Sequence, residues 1–193
     1  MRKSFPFWAV ILAPIVAALL NVFLNWANRS LGSPLFADSI FTAVVAAVFG
    51  VVPGLAAALL TQLGMEAVLS LQGPFGTALP FVFCGFATAL IVGLAAERGR
   101  FLSVLALTAV IAGVTLANSV IGSVTATFVF GGVTLHTSDF LITGFLLSGQ
   151  QLLEASFWAR VPLNLIDKGI AVGLAYFTLK QLVPKQYLPA PRG

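Results

Sequence analysis

The apolar runs along this chain are each about as long as a helix needs to cross a hydrocarbon layer of about 30 Å, and they recur through most of its 193 residues. They cover 6–27, 36–52, 54–71, 77–96, 102–128 and 162–183. A membrane strand would alternate polar and apolar positions over about ten residues, whereas these runs are continuously apolar, so helices are expected. Only 8% of the residues are charged, against about a quarter in a soluble domain. The expected fold is therefore an all-α integral membrane protein, one compact bundle of six transmembrane helices forming a single domain over 1–193.

The breaks between runs carry turn chemistry. They fall at Asn28 to Pro34, at Val52-Pro53-Gly54, at Gln72-Gly73-Pro74-Phe75-Gly76 and at Glu97-Arg98-Gly99-Arg100. The second and third helices are expected to form a tight hairpin. Residues 131–161 are mixed in character and read as a long loop with one short interfacial helix. A signal-peptide reading of the N-terminus has Arg2 and Lys3 in its favour, but the following run is too long and lacks a small-residue cleavage site. Cys84 is the only cysteine, which excludes an intrachain disulfide and a cysteine-based metal site.

Seven of the ten basic residues (Arg2, Lys3, Arg98, Arg100, Lys180, Lys185 and Arg192) fall on one side of a six-helix topology. The positive-inside rule makes that side cytoplasmic, with both termini. The net charge of +4 then reports topology, and no basic, aromatic-interleaved patch points to nucleic acid. On the same topology Arg29, Asp38, Glu66, His136, Asp139, Glu154, Arg160, Asp167 and Lys168 gather toward the outer face.

A last helix starting at Pro162, a position that tolerates proline, puts Asn164, Asp167 and Lys168 in its first two turns. Gln62 and Glu66 share a face of the third helix. Charged groups at membrane depth face a bundle interior or a watery cavity, so the expected ligand site is an outward cavity lined by Glu66, Asn118, Asn164, Asp167 and Lys168, with Gln62 and Arg160 at its edge. Against it stand blander readings. Asp167 and Lys168 can pair with each other or with Glu66 and Arg160 to lock helices. Asp38 is a ready N-cap for the second helix, His136 reads as a loop histidine, and Asn118 and Ser119 can bond a neighbouring helix. Trp8, Trp26 and Trp158 read as interfacial anchors. The seventeen phenylalanines mostly mean lipid and core.

Ala9, Ala13 and Ala17 form a small-residue stripe, which permits close helix packing within the chain or against a partner. That stripe, the segment Leu35-Phe36-Ala37-Asp38-Ser39 leading through Phe49-Gly50-Val51-Val52-Pro53-Gly54, and Arg160-Val-Pro162-Leu-Asn164-Leu-Ile-Asp167-Lys168 resemble the substrate-binding (S) component of energy-coupling factor (ECF) vitamin transporters. The resemblance extends over essentially the whole length. It implies capture of a vitamin or similar micronutrient, with riboflavin or a relative as one candidate, from the outer side of a prokaryotic plasma membrane. It also implies partners, a transmembrane coupling protein and two cytoplasmic ATPase subunits, with Ala9, Ala13 and Ala17 as the docking surface and no cofactor or metal.

Independently, the chain has no Walker-type glycine-lysine loop, and no convincing repeat of the kind that marks self-sufficient secondary transporters. The alternative is a ligand-sensing membrane input module coupled to a signalling partner. A membrane enzyme comes third, with no HExxH or G-x-S-x-G motif to support it.

Overall fold

The structure, a computed structural model, describes residues 5–71, 76–97, 101 and 103–187. The expectations resting on Arg2, Lys3, Gln72 to Phe75, Arg98 to Arg100 and Arg192 lie outside the described residues. Helix dominates, and the element order is α1 (Phe7–Ser30), α2 (Ile40–Phe49), α3 (Val51–Leu69), a 3-10 turn (Leu79–Phe81) running into α4 (Val82–Glu97), α5 (Val104–Phe128), α6 (Asp139–Leu147) and α7 (Leu152–Phe177). A π-helical turn over Thr178–Leu182 and a 3-10 turn over Lys185–Tyr187 follow.

Among the described residues, four segments are long and apolar enough to cross a membrane: Phe7–Ser30, Val51–Leu69, Leu79–Glu97 and Val104–Phe128. Two of the expected spans differ. The second, read as 36–52, is a helix of only 10 residues, about 15 Å long, because residues 33–39 run without helix and give their main chain to side chains elsewhere. The last, read as starting at Pro162, begins at Leu152, so Pro162 lies inside α7 rather than at its first turn. It removes one helical N–H there, a bend-prone point. The mixed stretch 131–161 holds α6 as the short helix and the first turns of α7.

Local chemistry sets the turns. Gly32, at φ 68°, ends α1 with its N–H to Arg29 O and the Ser33 N–H to Asn28 O, at 2.9 and 3.1 Å; this double closure needs the left-handed conformation that glycine supplies. The hairpin between α2 and α3 turns on Gly50 alone, at φ 100°, two residues before the expected break at Val52-Pro53-Gly54. Glu97 at the end of α4 accepts the first α3 amide, Val51 N–H, at 3.2 Å.

The N-terminal and C-terminal described segments meet at one end of the bundle. There Phe5 stacks on Tyr187 with ring centroids 4.4 Å apart. That end is packed with small apolar side chains: Ala43, Ala46 and Ala47 of α2, Ala89, Val92 and Ala96 of α4, Val110 and Val114 of α5, and Ala171, Val172 and Ala175 of α7. A Cβ on Gly54 would come within 2.6 Å of Ala46 Cβ, which shows how closely α2 and α3 approach. The outward faces carry Phe7, Ile11, Ile15, Leu19 and Phe23 on α1 and Leu165, Ile166 and Ile170 on α7, all exposed, a surface suited to lipid.

The alanine stripe lies partly indoors. Ala17 is buried with Val45 and Ala57, and Ala13 packs against that cluster, while Ala9 is half-buried. One turn past Ala17, Asn21, fully buried, ties α1 to its neighbours: its amide nitrogen donates to Thr42 Oγ1 and Thr61 Oγ1, both at 3.1 Å, and its oxygen accepts from Phe41 N–H at 2.9 Å. In this structure Ala13 and Ala17 of the stripe pack within the chain.

Candidate ligand cavity

At the opposite end of the bundle the interior turns polar. The same face of α7 that presents Ala171, Val172 and Ala175 to the dry core presents Lys168, Asn164 and Arg160 one, two and three turns earlier. All three are buried. They border a cavity closed by the last turns of α1 (Asn25, Arg29), the segment before α2 (Phe36, Asp38), the end of α3 (Gln62, Met65, Leu69), the start of α4 with its leading turn (Phe81, Cys84), α5 (Asn118, Gly122) and the loop after α5 (Thr134, His136). Its volume is about 60 Å³, room for about two waters at roughly 30 Å³ each.

Lys168 is the structural centre of the wall. Its ammonium lies 3.1 Å from Asp38 Oδ1 and 2.7 Å from Asp167 Oδ2, and donates to Ser39 Oγ at 2.7 Å. An ammonium has three donors, and here three oxygens surround it. Asp167 Oδ1 accepts from Ala37 N–H at 2.8 Å. The pair therefore fastens the segment before α2 to α7, in a backbone that takes φ 51° at Ala37. Asn25 and Asn28 hold the same segment by donating to Phe36 O at 2.6 Å and Leu35 O at 2.5 Å.

Three expectations change accordingly. Asp38 is not the cap of α2, since its carboxylate goes to Lys168 and the capping position falls to Ser39. Asp167 stands behind the cavity wall rather than in it, and Lys168 lines the cavity with two donors on Asp38 and Ser39 and its charge against Asp167. Glu66 is likewise committed elsewhere: it accepts from the main-chain N–H groups of Gly76, Ala78 and Leu79 at 2.5, 2.8 and 3.1 Å, anchoring the entry to α4, and does not line the cavity. A carboxylate disfavoured at its own helix end thus sits at the favourable start of another.

Gln62, Asn118, Asn164 and Arg160 do meet in the cavity. Asn118 donates to Thr88 Oγ1 and Val114 O, each at 3.0 Å, and Asn164 donates to Ser119 Oγ at 3.0 Å. Their amide nitrogens tie α4, α5 and α7 together. Gln62 Oε1 is buried and accepts nothing. Arg160, 3% exposed, has its guanidinium over the rings of Phe36 and Phe81 at 5.5 and 5.6 Å. Its Nε and Nη2 are buried without an acceptor.

His136, read from sequence as a loop histidine, lines the cavity and stacks on Phe36 at 5.1 Å. Burial pushes its imidazole down to about 4, and the charges of Arg29 and Arg160 act in the same direction. Its Nδ1 accepts from Ser138 N–H at 3.2 Å, which places the proton of the neutral ring on Nε2. That atom, too, is buried without a partner. Phe36, Phe81 and His136 escaped sequence reading because the chain has seventeen phenylalanines and its histidine lies in a loop. Only the proximity of Phe36 to Asp38 offered a signal.

Among the described residues no group of three His, Cys, Asp or Glu side chains is placed to hold a metal ion. Comparison with protein-family models, curated proteins and solved structures finds no match for this chain, so the site is read from its own geometry.

Proposed function

We propose that the chain is a membrane-embedded substrate-capture subunit of the ECF type, which takes a vitamin-like small micronutrient from the outer side and delivers it for ATP-driven uptake by partner subunits. In this reading α2 and α7 complete six crossings, the termini are cytoplasmic, and the cavity end faces outward. The observation that carries it is the cavity itself, where buried polar side chains from separate helices converge with hydrogen-bonding atoms unspent. Buried polar groups without partners are rare and costly in a protein that has no use for them. A membrane protein that only needed to hold its helices together would close such a space with small apolar side chains, as it does at the other end. The distribution of lysine and arginine supports the orientation. Partners are implied by the resemblance, a transmembrane coupling protein and two ATPases. The experiment is native mass spectrometry of the purified full chain together with uptake in cells. A retained small molecule, taken up only when transporter ATPases are co-expressed, is the expected result. A protein that comes off empty and stays empty on incubation with small-molecule extracts overturns the reading.

A further inference from the structure

The unspent hydrogen-bonding capacity of the cavity is lopsided. Three buried donors lack acceptors (Arg160 Nε, Arg160 Nη2 and His136 Nε2), against one buried acceptor of the cavity lining, Gln62 Oε1, that lacks a donor. The donors are gathered on one aromatic ring: Arg160 lies over Phe36 at 5.5 Å and His136 stacks on it at 5.1 Å. Nε and Nη2 are the two guanidinium nitrogens whose N–H bonds run parallel, the fork that receives both oxygens of a carboxylate. Among the described residues no carboxylate fills it. Asp38 is held by Lys168, Asp139 accepts from Thr134 N–H and Oγ1 at 2.8 and 2.7 Å, and Glu66 is used up on main-chain amides. Arg29, the other arginine of the lining, gives one of its donors to Leu135 O at 2.8 Å, and none of its nitrogens is among the buried donors without an acceptor. An unpaired buried guanidinium is among the costlier features a fold can keep.

We infer that the cavity takes a small organic monocarboxylate, its carboxylate held by Arg160 and His136 and a donor group of the same molecule reaching Gln62; this rests on the capture reading above and names its substrate class. A single negative charge fits better than two. One negative charge neutralises the unpaired guanidinium of Arg160, and a second would lie uncompensated in a lining that already holds the Asp38 carboxylate. The volume of about 60 Å³ favours a small head group. Arg160 Nε and Nη2 are walled from water by the surrounding side chains, so the carboxylate seats by displacing the Phe36 or Phe81 ring from the guanidinium.

The probe is the small-molecule fraction released from the purified full chain, offered back to emptied protein after one of three treatments: none, esterification in acidic methanol, or phosphatase. The untreated and phosphatase-treated fractions rebind, and the esterified fraction, heavier by one methylene group, does not. Rebinding of the esterified fraction, or loss of rebinding only after phosphatase, overturns the inference while leaving the capture reading intact. Absence of any released molecule overturns the capture reading and the inference with it. Arg160→Met binds the untreated fraction about a hundredfold more weakly and melts no lower than the parent, because a buried unpaired cation has been removed; Arg160→Lys restores part of the affinity. An Arg160→Met protein that unfolds, with Arg160→Lys binding no better than it, assigns Arg160 to the scaffold and overturns the inference as well.

Discussion

The two ends of this bundle are built from the same helices and differ in what fills them. At the end where Phe5 meets Tyr187, α2, α4, α5 and α7 meet through a cluster made mostly of alanine and valine. At the other, α5 and α7 meet through Asn118, Ser119 and Asn164, and Arg160 and Lys168 lie just beyond. Between Lys168 and Ala171, less than one turn of α7, the interior changes from charged to dry. Helices in lipid gain little from the hydrophobic effect and associate through close packing and hydrogen bonds. The apolar end uses the first device and the polar end the second. Among the described residues, the unspent guanidinium and imidazole donors lie at the polar end.

That contrast can be broken most forcefully at Lys168. Lys168→Met leaves Asp38 and Asp167 buried without their cation, at a cost of about 3–5 kcal/mol, and a large drop in melting temperature is expected in a detergent-melting assay. A variant as stable as the parent would show that the triad is not what holds the segment before α2. At the apolar end, Leu179→Ala, a side chain 2% exposed, should cost about 2 kcal/mol. That is the low end of the range for such truncations, because the lost contacts are with neighbours already in a membrane setting. Ligand affinity should be unchanged. Asn164→Ala reverses the pattern: isothermal titration with the released small molecule should show binding weakened about ten- to a hundredfold, with a smaller change in melting.

Much of this was legible in the sequence, and the parts that were not have physical reasons. Continuous apolar runs fix four helices within a few residues, as for 102–128 against Val104–Phe128. The α7 boundary was missed because proline at a helix start and proline inside a helix look alike without the turns before it. Gln62, Asn118, Asn164 and Arg160 were legible as polar groups at depth. Glu66 and Asp167 belonged to the same pattern, but each has an oxygen held by a main-chain amide, Ala78 and Ala37, that no spacing rule connects to it. Ala17 illustrates the same limit: a small-residue stripe says that something packs closely, and only the fold shows Val45 and Ala57 against it.

The smallest expected effect separates the ends by pH. His136 is neutral in the fold, with its imidazole lowered to about 4 from the ordinary 6.5. The unfolded chain therefore binds more protons between those values, and stability falls as pH drops through that window. His136→Gln should flatten that part of the pH dependence of melting, and an identical slope in parent and variant would place the titration elsewhere.

The central claim is that the polar end, and not the rest of the bundle, receives the ligand. Hydrogen exchange of the full chain with and without its released small molecule tests it directly, since opening of local segments is read amide by amide. Protection should rise in 33–39 and 129–138, which carry Phe36 and His136, and stay unchanged in Ile40–Phe49 and in the first turns of α5. Protection confined to the apolar end, or no change at residues 33–39, would contradict it.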